Sequence, residues 1–356
     1  MRKWWRVNKM DQNLLIPIWT GNIAYEETVM VVENADGSLS PIQMLHPIAE
    51  ILEVKSTYLE VSYEAGKDFD VDDNGNLVIP LGSAVPITPY KEIHLDEEIP
   101  GECFQKDDGG YLRFSEKGYF HKRQIQVTYR HESEWYGEIP KRQGEELPKT
   151  HEKLSNKEPL HVVVYGDSIT NGGNASGAGI NLPPYLPRFS NLIVDEWKKE
   201  YGYEEIQLTN TSVGGKNSFW GVEEAEERVA AHKPDLLIIG FGMNGRAMPE
   251  EYKENIKKIM DVARTSNPEC EFVLIATMLP NKILPHFVRK QALYLQPLLE
   301  IASEQEGVAV ADMTTMHKDL LKRKAFIDMT GNNVNHTNDY LTRVYAQVIL
   351  EAVKER

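Results

Sequence analysis

Five short apolar runs alternate with amphipathic stretches over the second half of the chain, and this pattern leaves few folds open. The runs lie at 161–165, 206–210, 235–240, 272–277 and 308–311. Asp235-Leu236-Leu237-Ile238-Ile239-Gly240 and Phe272-Val273-Leu274-Ile275-Ala276-Thr277 show their character. A strand with one wet face alternates apolar and polar residues. These runs do not, so both faces must be covered, as in a parallel sheet between two layers of helices. The intervening periodicity predicts helices at 188–201, 221–232, 250–265, 287–306 and 338–354. This is the pattern of a doubly wound α/β domain, whose site belongs at the carboxyl ends of its strands.

The first part of the chain reads differently. Thr28–Val32, Tyr58–Tyr63 and Gln124–Tyr129 are β-branched or aromatic, with turn signals such as Asp36-Gly37, Asn74-Gly75 and Asp108-Gly109 between strand candidates. Repeated short strands of this kind predict a β-sandwich or jelly roll. The Asp72-Asp73-Asn74 cluster lacks the full ligand spacing of a calcium loop and reads as a plain turn. Glu138–Lys149 carries Pro, Gly and alternating charge, with little to bury, and reads as a linker. The expected organisation is a β-rich domain over 1–137, a linker over 138–158 and an α/β domain over 159–356.

Composition narrows the partners. The chain is 41% hydrophobic and 26% charged, enough for a substantial core. Its net charge of −15 argues against nucleic acid or an anionic membrane surface, because phosphate binding needs a basic face. Cys103 and Cys270 offer no disulfide framework and no metal spacing, and read as free core cysteines. Met1–Asp11 is basic like a signal n-region, but Leu14–Trp19 is too short for the apolar core of one. A cytoplasmic protein with no cofactor is the expectation.

Four segments sit where strands end: Gly166-Asp167-Ser168-Ile169-Thr170, Asn210-Thr211-Ser212-Val213-Gly214-Gly215-Lys216, Gly240-Phe241-Gly242-Met243-Asn244-Gly245 and Asn333-Val334-Asn335-His336-Thr337-Asn338-Asp339. Together they fit acyl transfer. A serine hydroxyl needs an adjacent base, and His336 is the candidate. The oxyanion formed at the attacked carbonyl needs preorganised donors. The N–H groups of Ser168 and Gly215 and the side-chain amide of Asn244 are the candidates. Glycine at 215 leaves room for the incoming oxygen, and asparagine donates without adding charge.

These segments resemble the four blocks of the SGNH hydrolases, or GDSL esterases, over roughly residues 160–354. The resemblance implies a flavodoxin-like fold with Ser168 as nucleophile, Gly215 and Asn244 in the oxyanion hole (Gly214 being the alternative to Gly215) and His336 as general base. The G-x-S-x-G elbow of the α/β-hydrolases is absent, since Thr170 stands two after Ser168. Two positions depart from the family pattern. Gly245 follows Asn244 where the family has Asp, and Asn333 occupies the place of the triad acid. An amide can orient an imidazole but cannot neutralise an imidazolium. Three arrangements therefore remain: Asn333 as a weak orienter, Asp328 or Asp339 reaching the ring, or a backbone carbonyl leaving a Ser–His dyad.

Other features have plainer readings. Asp167 reads as holding the turn after its strand. Gly172–Gly179 matches no phosphate-loop pattern and reads as a flexible loop at the rim of the site. Tyr185, Phe219 and Trp220 suit either an aromatic wall for a sugar or core packing. The resemblance to two-domain acetylxylan-type esterases implies an enzyme that removes small acyl groups, chiefly acetyl, from carbohydrates. A lysophospholipase or thioesterase, or a non-catalytic carbohydrate-binding protein on the same scaffold, is the alternative. The β-rich domain could bind sugar, wall the site or mediate self-association.

Overall fold

The computed structural model describes residues 13–356, so the basic stretch Met1–Asp11 lies outside the described residues. The N-terminal part holds β1 (Ile23–Val32), β2 (Glu50–Ser56), β3 (Asp70–Val71), β4 (Leu77–Val78), β5 (Ile87–Thr88), α1 (Tyr90–Ile93), β6 (His94–Leu95), β7 (Cys103–Gln105), β8 (Tyr111–Arg113) and β9 (Gln124–Arg130). They form a four-stranded sheet in the order β2-β9-β1-β5, a β3-β4 hairpin and a small sheet ordered β6-β8-β7. The period of two is put to use in β1. Val29 and Val31 point into a core with Phe69, Leu77 and Ile79, whereas buried Thr28 and Met30 meet the C-terminal domain.

Not every expected strand is one. Tyr58–Tyr63 is largely a turn after β2: Leu59 has φ +60°, and only an isolated bridge joins Lys55 to Ser62. Leu59 and Val61 are exposed, so their β-branched and apolar character has no sheet face to fill. The Asp72 carboxylate accepts from the N–H groups of Asn74 and Asn76, the hydrogen bonding of a plain turn.

The C-terminal domain runs α2 (Pro148–Asn156), β10 (Leu160–Gly166), α3 (Phe189–Tyr201), β11 (Ile206–Asn210), α4 (Ser218–Glu223), α5 (Ala225–Arg228), β12 (Leu236–Gly240), α6 (Pro249–Ser266), β13 (Glu271–Ala276), α7 (Leu295–Glu304), β14 (Val308–Asp312), α8 (Met313–Leu320) and α9 (Asp339–Ala352). The five strands are parallel in the order β11-β10-β12-β13-β14. One core buries Val162, Val164 and Ile238 against α3 and α9; the opposite core buries Val163, Leu237 and Leu274 against α6 and α7. Both faces are covered, as the unbroken apolar runs require. Strand order reverses between β10 and β12, and a ligand crevice forms at such a switch point.

Residues 138–158 are no loose linker. Leu147 and Leu154 are fully buried, Gln143 exchanges hydrogen bonds with Val310 on edge strand β14, and α2 occupies the end of the stretch. The helix expected at 221–232 is broken into α4, α5 and a 3-10 turn. The one expected from 287 starts only at Leu295, because Gln291 holds the preceding loop through the carbonyls of Met243 and Phe287. Helix α8 is short and started by Asp312, which accepts from the N–H of Thr315; it was not foreseen.

Candidate active site

Strand β10 ends in close contact with β12, with Gly166 paired to Gly240. A Cβ on Gly166 would stand 2.3 Å from the Gly240 carbonyl oxygen, so only glycine allows the strands to finish this near each other. The chain then turns. Asp167 is fully buried and accepts from the N–H of Ile169 at 3.0 Å and of Met243 at 3.2 Å. One carboxylate thus fixes the serine turn and the loop carrying Asn244. Burial raises its pKa to about 6, against the opposing pull of those backbone N–H groups and of His336. The second loop is tied in as well, since the Asn210 amide donates to the Thr170 carbonyl at 2.8 Å.

These ties bring the expected residues together. Ser168 Oγ lies 2.9 Å from His336 Nε2. The N–H groups of Ser168 and Gly215 have no acceptor among the described residues. Gly215 has φ +77°, while a Cβ there would meet nothing within 4 Å. The positive φ, rather than lack of room, is what calls for glycine. Asn244 Nδ2 donates to the Lys216 carbonyl at 3.2 Å, a bond that links the second and third loops and leaves its other N–H for an incoming oxygen.

Asn333 does not orient the histidine. It sits at φ +65°, its Nδ2 donates to the Arg113 carbonyl at 3.1 Å, and its Oδ1 accepts from Asn281. Asp328 accepts from the N–H of Met30 and Asp339 from the N–H of Ser176, so neither reaches the ring. No backbone carbonyl takes their place among the described residues. His336 Nδ1 instead lies 2.7 Å from Asn174 Oδ1 and 3.2 Å from Glu116 Oε2.

Sequence reasoning missed both. Asn174 belongs to Gly172–Gly179, which is no flexible rim: Asn174, Ala175 and Ser176 are buried, and the Asn174 N–H donates to the Thr337 carbonyl. The asparagine beside two glycines was the available signal. Glu116 comes from the N-terminal domain, just after β8, with nothing in its local sequence to mark it. Of the three aromatics, Trp220 packs with Tyr165 and Phe241, while Phe219 and Tyr185 are exposed.

Residues 164–340 match the model of the GDSL-like lipase/acylhydrolase family. The C-terminal domain is a GDSL-like hydrolase. Similar solved structures include a two-domain esterase active on acetylated mannans, 20% identical with TM-score 0.46, covering 59% of this chain and 53% of that one. Another is Axe2, an acetylxylan esterase from Geobacillus stearothermophilus, 17% identical with TM-score 0.43, covering 55% of this chain and 95% of that one. An uncharacterized protein of Mycoplasma pneumoniae is 21% identical over 215 residues, which are 57% of this chain and only 23% of that relative. The Ser168–His336 contact stands within the matched stretch, and Glu116 stands outside it. No described helix of the chain is long and apolar enough to cross a membrane.

Proposed function

We propose that the protein is a serine esterase that removes small acyl groups, chiefly acetyl, from carbohydrates through an acyl-enzyme. The observation that carries the reading is the 2.9 Å contact between Ser168 Oγ and His336 Nε2, set beside the candidate donors Ser168 N–H, Gly215 N–H and Asn244 Nδ2. Ser168 Oγ attacks the ester carbonyl carbon as His336 Nε2 takes the hydroxyl proton. The oxygen that gains charge is met by the N–H groups of Ser168 and Gly215 and by the Asn244 amide. Collapse breaks the bond to the sugar oxygen, which leaves with the proton from His336. Water then attacks the acyl-serine by the same route and releases the acid. The carbohydrate part rests on the architecture: a β-rich domain docks at the catalytic end of the sheet and reaches His336 itself.

Purified protein is expected to hydrolyse p-nitrophenyl acetate faster than longer-chain esters and to release acetate from acetylated xylo-, manno- or gluco-oligosaccharides. Ser168→Ala is expected to lose turnover and labelling by a fluorophosphonate. A folded Ser168→Ala protein with wild-type activity would end the proposal. A preference for long acyl chains would replace the substrate class with a lipid or thioester.

A further inference from the structure

We propose that Glu116, carried by the N-terminal domain, positions His336 and balances the charge that it gains, completing a triad across the domain boundary. The inference rests on the serine-esterase reading and adds the residue that the hydrolase domain lacks by itself.

Three observations converge. Glu116 Oε2 lies 3.2 Å from His336 Nδ1, although the two are 220 residues apart in sequence. The other carboxylate oxygen accepts from Asn332 Nδ2 at 3.0 Å. Asn332 is wholly buried, and its Oδ1 accepts from the N–H groups of Val334, Asn335 and His336, each at 3.0 Å. One side chain thus shapes the backbone turn that presents the histidine and grips the acid that faces it. Finally, Asn333, where the family pattern places the acid, donates to the Arg113 carbonyl at the end of β8. The residue in the vacated position ties down the strand from which Glu116 follows. Apolar packing of Leu112 and Phe120 with Leu284 and Val334 fixes the same approach.

The chemistry suits the role. With Nε2 accepting from Ser168, the neutral ring carries its proton on Nδ1, which points at both Asn174 Oδ1 and Glu116 Oε2. Asn174 can hold that tautomer. Of the two groups that meet Nδ1, Glu116 is the one that brings a negative charge to the imidazolium formed when Ser168 is deprotonated. Desolvation opposes ionisation of Glu116, but its hydrogen bond and charge interaction with His336 and the amide of Asn332 outweigh it and hold its pKa below the usual value. The acid is therefore ionised where the enzyme would work.

Replacing the triad Asp by Asn in a serine protease costs about 10⁴ in rate. Glu116 has a side chain 45% exposed, so water screens its charge, and Asn174 still holds the ring. A loss on the order of 10²-fold is expected instead. The experiment compares the full-length protein with Glu116→Gln and Glu116→Asp, using p-nitrophenyl acetate, with thermal melts to confirm folding. The expected result is a kcat about 10²-fold lower in Glu116→Gln, KM within about twofold, and greater retained activity in Glu116→Asp, which keeps the charge. A Glu116→Gln enzyme within threefold of wild type, or one more active than Glu116→Asp, overturns the inference. If wild type itself neither turns over esters nor reacts at Ser168 with a fluorophosphonate, the esterase reading fails and takes this one with it.

Discussion

At the scale of single residues, the site separates groups legible from sequence from groups that only tertiary contact reveals. Ser168 and His336 each follow a recognisable local pattern, and the structure sets them in hydrogen-bond contact. Asn244 was legible too, and its placement yields a prediction. An oxyanion donor acts on the transition state more than on bound substrate, and removing one costs about 10²–10³ in kcat. Asn244→Ala should show such a loss with little change in KM; a change confined to KM would assign the side chain to substrate binding. Asn333 was the natural suspect because it sits in the acid's place, yet its side chain serves Arg113 and Asn281. Glu116 could not be read at all. Its significance lies in a contact spanning 220 residues, and no periodicity or spacing encodes that.

At the scale of elements, the parallel sheet was legible because burial on both faces writes itself into the strands as continuous apolar runs. Short elements were less so. Helix α8 depends on one capping carboxylate, and α2 hides in a stretch whose charge suggests solvent, although Leu147 and Leu154 face the core. The 3-10 turn at Phe326–Asp328 shows how a brief element can matter. Asp328 accepts from the N–H of Met30 on β1, and burial raises its pKa to about 6 despite Lys324 and that backbone bond. Its folded form thus holds a proton between about pH 4 and 6 that the unfolded chain has released. That contribution favours folding at low pH and is lost as pH rises through 6. Asp328→Asn keeps an acceptor for Met30 and removes the titration. Thermal melts should show the variant gaining on wild type from pH 4 to 7; a constant difference would contradict the assignment.

For the whole molecule, the boundary between the two domains includes a buried polar cluster beside its apolar contacts. Lys324 Nζ lies 2.6 Å from Glu27 Oε1, with both side chains inaccessible to solvent, and also donates to the Thr28 carbonyl. Glu27 further accepts from Tyr129. Nearby, Asn338 donates to Thr28 and Gln124, and Gln124 to the carbonyls of Ile327 and Thr330. Breaking a buried pair from one side leaves an uncompensated charge and costs about 3–5 kcal/mol. Lys324→Met should destabilise by about that much in chemical denaturation, and adding Glu27→Gln should restore part of it. A loss below about 1 kcal/mol would show that the pair is not buried in solution. The turn built by Asn332 has a consequence for how such proteins can be recombined. Its amide addresses the histidine loop and the neighbouring domain at once, so the two domains are not interchangeable beads. A chimera that joined this hydrolase domain to another β-rich partner would inherit Ser168, His336, Gly215 and Asn244. On the triad proposed above, it would stay slow until the new partner brought a carboxylate to meet the Asn332 side chain.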